Sequence, residues 1–138
     1  MTMEWFRYLT KRLQGDAERI RVLAVLPDPR DRAFIDAIAA HENWELKLSS
    51  SCDSAREALR HYRADVILCD RDLNGCDWRE AIAMLSAGNN RTILASPATD
   101  DKLWLEVIER GGYDVITKPF HEHRVIQTVT TAWNELRK

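Results

Sequence analysis

Five short apolar runs, separated by helix-length amphipathic stretches, predict an α/β domain built on a doubly wound five-stranded parallel sheet. The run Val66 to Cys69 points the same way: it is continuously apolar and stops abruptly at Asp70, as a strand buried on both faces does. Length agrees, since 138 residues hold one domain with a real core and are too few for two.

Residues 4 to 14 read as an amphipathic helix, with Trp5, Phe6, Leu9 and Leu13 on one stripe and Arg7, Lys11 and Arg12 outside it. Gln14-Gly15-Asp16 ends it, so an N-terminal extension over 1–17 is expected to precede a domain over 18–138. The stripe is expected to dock on its own chain or on a twin; a basic interfacial helix at a membrane is the other reading, and one short helix binds a bilayer weakly. Ile20 to Leu26 is the first strand, ending at Pro27-Asp28-Pro29. Pro29 suits the first position of a helix with Asp28 as its N-cap, running to about His41 with Phe34, Ile35 and Ile38 on one face. Trp44 to Leu48 alternates, as a strand near the sheet edge does.

Ser54-Ala-Arg-Glu57 has the form of a capping box opening a helix through Tyr62. Val66 to Asp70 is the third strand, and Trp78 to Ala87 a helix with Ala81, Ile82 and Leu85 inward. Asn89-Asn90 turns the chain into Thr92 to Ala95, which ends in Ser96-Pro97. Asp100 caps a helix with Leu103, Trp104, Val107 and Ile108 on one side, leaving Leu105 off the stripe and exposed. Gly111-Gly112 stops that helix. Tyr113 to Thr117 is the fifth strand, and His121 to Leu136 the last helix, with Val125, Val129, Trp133 and Leu136 on one face.

Composition narrows the function. The apolar fraction of 45% and charged fraction of 30% are those of a globular chain, and a net charge of −2 gives no basic footprint for nucleic acid. No run approaches a membrane span, and the N-terminus lacks a signal peptide's apolar core. Cys52, Cys69 and Cys76 lack zinc spacing and fit reduced thiols in the cytoplasm, with Cys69 a small core residue. There is no glycine-rich phosphate loop and no Ser-His-Asp or Cys-His arrangement, so no enzyme is expected.

In open α/β sheets ligands sit beyond the carboxyl ends of the strands, which is where Asp70 falls. Taken alone, Asp70 fits chemistry or the capping of a loop equally well. Three further features line up with it: Leu73-Asn74-Gly75 in the loop that follows, Ser96 at the end of strand four, and Lys118-Pro119-Phe120 after strand five. With Ala64 to Asp70 and Gly111 to Phe120 in this βα order, the chain from about Ile20 to Leu136 resembles the receiver domain of bacterial two-component response regulators. The resemblance implies a flavodoxin-like (CheY-like) sheet of strand order 2-1-3-4-5. It implies Asp70 as the acceptor of a phosphoryl group from a histidine kinase, Ser96 as a hydrogen-bond partner of the phosphoryl oxygens and Lys118 as their counter-charge. It also implies a cis Lys118-Pro119 peptide.

The chain departs from that family where a divalent metal would bind. Two adjacent acids normally end strand one; here those positions are Leu26 and Pro27, whose side chains ligate nothing. Magnesium is therefore expected to bind weakly if at all, with Asp28, Asp70 and Asp72 as the remaining candidate ligands. Asp28 could swing inward or cap its helix. Val115 stands where the family has a switch aromatic, and Trp78 where glycine is common, so the loop after Asp70 is expected to be bulkier. These departures favour a pseudo-receiver, a protein-interaction module without normal magnesium-dependent phosphorylation; a working phosphoacceptor is the alternative. Either way the expected partners are signalling proteins, a kinase or a downstream effector, with no direct nucleic-acid contact because nothing after the fifth helix could bind DNA. Homodimerisation through Leu105 on the face of helix four, strand five and helix five, or through Trp5, Phe6, Leu9 and Leu13, is a further expectation.

Overall fold

Alternation along each strand divides the interior into two layers. The computed structural model describes residues 19–138. The expected helix with Trp5, Phe6, Leu9 and Leu13, and the boundary between 17 and 18, lie outside them. Five strands, β1 (Arg21–Val25), β2 (Glu45–Ser49), β3 (Val66–Asp70), β4 (Arg91–Ser96) and β5 (Asp114–Thr117), form one parallel sheet of order β2-β1-β3-β4-β5. Helices α1 (Pro29–Glu42) and α5 (Glu122–Leu136) cover one face. Helices α2 (Cys52–Ala58), α3 (Trp78–Leu85) and α4 (Asp101–Glu109) cover the other.

Val22, Ala24 and Leu26 pack toward α1 and α5, while Leu23 and Val25 pack toward α2, α3 and α4. β3 repeats the split with Val66 and Leu68 against Ile67 and Cys69. Because side chains alternate along a strand, Asp70 continues the Leu68 row and Ser96 continues the Leu94 row, on opposite faces. The register sets Val25 beside Cys69, Asp70 beside Ala95 and Ser96 beside Thr117, so the ends of β1, β3, β4 and β5 meet at one edge.

Local chemistry explains most boundaries. Asp28 caps α1 by accepting from Arg30 N at 2.9 Å, Pro29 opens it, and Asn43 in the left-handed region closes it. The expected capping box at Ser54 and Glu57 lies one turn too late. Ser51 is the cap and Ser54 its reciprocal partner, so α2 starts at Cys52 and ends at Ala58, short of Tyr62. The three-residue spacing of a hydroxyl pair does what the Ser-to-Glu pattern suggested a turn further on.

Trp78 opens α3 and is buried, so its ring fills the core instead of enlarging the loop after Asp70. Trp104 is 47% exposed, not on an inward stripe; the short α4 fully buries only Val107. Gly111, φ +98°, stops α4 in a conformation that favours glycine, and Gly112 follows so closely that a Cβ there would stand 2.5 Å from Val107. Leu48 is exposed on the edge strand β2.

Candidate functional site

Asp70 is 2% exposed, and both carboxylate oxygens are engaged. Oδ1 accepts from the backbone N–H of Asp72 at 2.9 Å, and Oδ2 accepts from Lys118 Nζ at 2.7 Å. Lys118 reaches Asp70 from the turn after β5, where the Lys118-Pro119 peptide is cis and Lys118 N donates to Ser96 O at 2.9 Å. A second carboxylate shares the same ammonium. Asp31 Oδ2, on the first turn of α1, stands 2.7 Å from Lys118 Nζ, an ion-pair distance although off the direction of a hydrogen bond. Burial pulls the Lys118 ammonium down, yet Asp31 and Asp70 together outweigh it and hold the group above its ordinary value.

The end of β1 presents no carboxylate to this cluster. Leu26 is fully buried in the α1–α5 layer, and its carbonyl and that of Pro27 both accept from one nitrogen of Arg32 at 2.8 Å. Asp28 stays at its cap, where the Arg30 side chain, 3.1 Å away, holds its carboxyl below the usual range. Asp72 is exposed, and only its backbone meets Asp70. Among the described residues no three His, Cys, Asp or Glu side chains are grouped so as to hold a metal.

Ser96 is fully buried, and its hydroxyl is committed elsewhere. It donates to Ala98 O at 2.7 Å and accepts from Ala98 N and from an Arg71 guanidinium nitrogen, each at 3.3 Å. The structure thus joins the side chains of Asp70 and Lys118 directly, while Ser96 meets Lys118 only through the backbone. Asp31 and Arg71 escaped the sequence reading. Asp31 reads as an ordinary acid of a helix's first turn, and Arg71 as the polar residue after a strand. The signal available for Asp31 was its place three residues after the cap, on the helix that follows Leu26 and Pro27.

The fold and this edge define a class, and comparison with known proteins agrees. A family model, the response regulator receiver domain, matches residues 22–130, and the chain belongs to that family. It is 30% identical over 104 residues to the "Uncharacterized transcriptional regulatory protein YvcP" of Bacillus subtilis (strain 168), covering 73% of this chain and 43% of that protein. It is 26% identical over 117 residues to the "Probable transcriptional regulatory protein TcrX" of Mycobacterium tuberculosis (strain ATCC 25618 / H37Rv), covering 82% of this chain and 49% of that protein. The chain therefore spans about half the length of the curated relatives it matches. In fold it is similar to a two-component response regulator from Clostridium difficile, with TM-score 0.80, 14% identity and coverage of 87% of this chain and 100% of that one. A CheY-like receiver domain protein from Methanospirillum hungatei JF-1 gives TM-score 0.80 at 14% identity over 87% of this chain and 98% of that one. Receiver domains of this family are signalling modules. Among the described residues no helix is long and apolar enough to cross a membrane.

Proposed function

We propose that this receiver domain is atypical, acting as a protein-interaction module without normal magnesium-dependent phosphorylation of Asp70. The observation that carries the reading is the end of β1, where Pro27 and the buried Leu26 stand at the positions of the acidic pair while Asp28 is held at its cap. Magnesium takes a near-octahedral shell of oxygens, commonly from one or two carboxylates and waters. Asp70, with both oxygens already engaged by Asp72 N and Lys118, and exposed Asp72 do not supply that shell. The residues present do not fit the ion.

The test is intact mass after incubation with magnesium and a small acyl phosphate. The expected result is an unmodified chain; stoichiometric addition of one phosphoryl group, lost in Asp70→Asn, would overturn the proposal. A gain-of-function arm sharpens it: Leu26→Asp with Pro27→Asp, checked for folding by circular dichroism, should confer magnesium-dependent modification.

One observation favours a second reading. The Lys118–Asp70 contact at 2.7 Å retains the counter-charge that an aspartyl phosphate would use, so transfer from a histidine kinase with Asp70 as acceptor remains the rival. A purified kinase or phosphotransfer protein that labels wild type and not Asp70→Asn would establish it.

In both readings the domain works in the cytoplasm through contact with signalling proteins, and its own surface, net charge −2, does not read DNA. Trp104 and Leu105, 47% and 52% exposed on α4, are the apolar features proposed for that contact, including a homodimer. Light scattering should show a dimer that Leu105→Asp dissolves; a monomeric wild type removes the homodimer.

A further inference from the structure

At the amino edge of the sheet, opposite the end that carries Asp70, a groove opens between the α2–β3 and α3–β4 connections. Its volume is about 820 Å³, within the range of small-molecule sites. The floor is apolar, with Leu59 and Met84 partly buried and Leu85 buried. The charged lining is of one sign. Arg56, Arg60 and Arg63 border the groove together with His61, and none of its described lining residues is an aspartate or glutamate.

Helices α2 and α3 both end at this groove, and helix carboxyl ends attract cations, but each end is worth only about half an elementary charge. Three guanidinium groups exceed what two helix ends offset. Acids on α2 reach two of the arginines from outside the groove: Arg56 stands 3.3 Å from Asp53, and Arg60 stands 3.6 Å from Glu57, both as exposed pairs. Such pairs contribute little and are screened by water, so both guanidinium groups are open to a stronger anion. Arg63 is exposed and forms no ion pair among the described residues. The walls are already fixed. The Tyr62 hydroxyl donates to Glu45 O at 2.9 Å, which holds one side. Asn90 Nδ2 donates to Leu85 O at 2.9 Å and Asn90 Oδ1 accepts from the Thr92 hydroxyl at 3.1 Å, which holds the other.

We propose that this groove binds a nucleoside polyphosphate, with the base on the apolar floor beside Tyr62 and the phosphates on Arg56, Arg60 and Arg63. A guanidinium fork pairs with phosphate oxygens through two parallel hydrogen bonds, and three such forks on one rim suit a chain of phosphates. Leu59 and Met84 offer a base the apolar surface that a bare phosphate chain does not use. Asn89, exposed on the same rim, presents an amide donor and acceptor to a base edge. The groove and Asp70 lie at opposite ends of the sheet, so the site is separate from the magnesium chemistry of the acidic edge.

Titration calorimetry of the full chain with ATP and with GTP, in EDTA so that magnesium plays no part, tests the site. One nucleotide should bind per chain with an affinity that weakens as salt rises. Adenosine and tripolyphosphate should each bind at least about tenfold more weakly, because each keeps only part of the contacts. Arg60→Ala and Arg63→Ala should each weaken the nucleotide by about tenfold, the loss of a charge-assisted hydrogen bond, while Arg124→Ala on α5 leaves it unchanged. No saturable binding of either nucleotide would overturn the proposal. Tripolyphosphate binding as tightly as ATP, or an equal loss in Arg124→Ala, would also overturn it, by reducing the groove to general surface charge. Asp70→Asn should bind nucleotide with wild-type affinity, which separates this outcome from that of the magnesium experiment.

Discussion

The carboxyl edge of the sheet has two halves that differ in kind. On the β3–β5 half, Asp70 and Lys118 remain a charged, nearly buried pair, with Asp31 as a second carboxylate on the same ammonium. On the β1 half, an aliphatic side chain and a proline follow the strand, and the next acid caps a helix. The first half can keep a negative charge buried indefinitely because the protein itself supplies the cation. The second offers nothing that would draw in a cation from solution. Lys118 therefore offsets the buried charge of Asp70 from within, while sharing its ammonium with Asp31.

Removing Lys118 should break the comparison most severely. Lys118→Met leaves Asp70 buried and unpaired, and breaking an ion pair of this burial costs about 3 kcal/mol, the low end because the lysine side chain is 21% exposed. Urea unfolding at neutral pH should show that loss; a change under about 0.5 kcal/mol would mean that Asp70 is stabilised by something else. The same pair of proteins gives a pH signature. The folded Lys118 value is raised above the ordinary 10.5, so its contribution is fully present below that value and fades as pH rises through the folded one. The stability gap between wild type and Lys118→Met should be constant to about pH 9 and close at more alkaline pH. A gap that widened there would reverse the assigned sign.

The half that holds Asp70 was legible in the sequence, and the reason is local. A continuous apolar run ending in an acid, and Lys-Pro-Phe after the last strand, are contiguous signals whose spatial meeting follows from parallel strands in order. Leu26 and Pro27 were placed after the first strand by the same logic. Asp31 was not, because its role depends on the direction of α1 over the edge, and a first-turn acid ordinarily answers only to the helix dipole. Ser96 was placed at the correct strand end, but its hydroxyl is turned to Ala98 and Arg71, a choice made by the β4–α4 turn. The periodicity that put Trp104 inward failed because α4 has only nine residues and rests on the sheet through a narrower face than the pattern suggests.

Asp31 gives the next smaller effect. Asp31→Asn removes one of two carboxylates on Lys118 while leaving the Asp70 pair intact, so a loss of about 1 kcal/mol is expected, with Lys118 titrating lower by NMR. An unmoved lysine titration would show that Asp31 merely stands nearby.

The smallest effect belongs to Asp28, and it separates the two halves most cleanly. Its carboxylate is spent on Arg30 N and the Arg30 guanidinium at the start of α1. Asp28→Ala should lower Tm by less than Asp31→Asn does, and Asp28→Ser should restore it, because a hydroxyl also accepts from the first turn of a helix. Neither variant should change magnesium affinity measured by titration calorimetry. If Asp28→Ala weakened a magnesium signal that Asp28→Ser failed to rescue, Asp28 would be a ligand, and the β1 half would belong to the charged site.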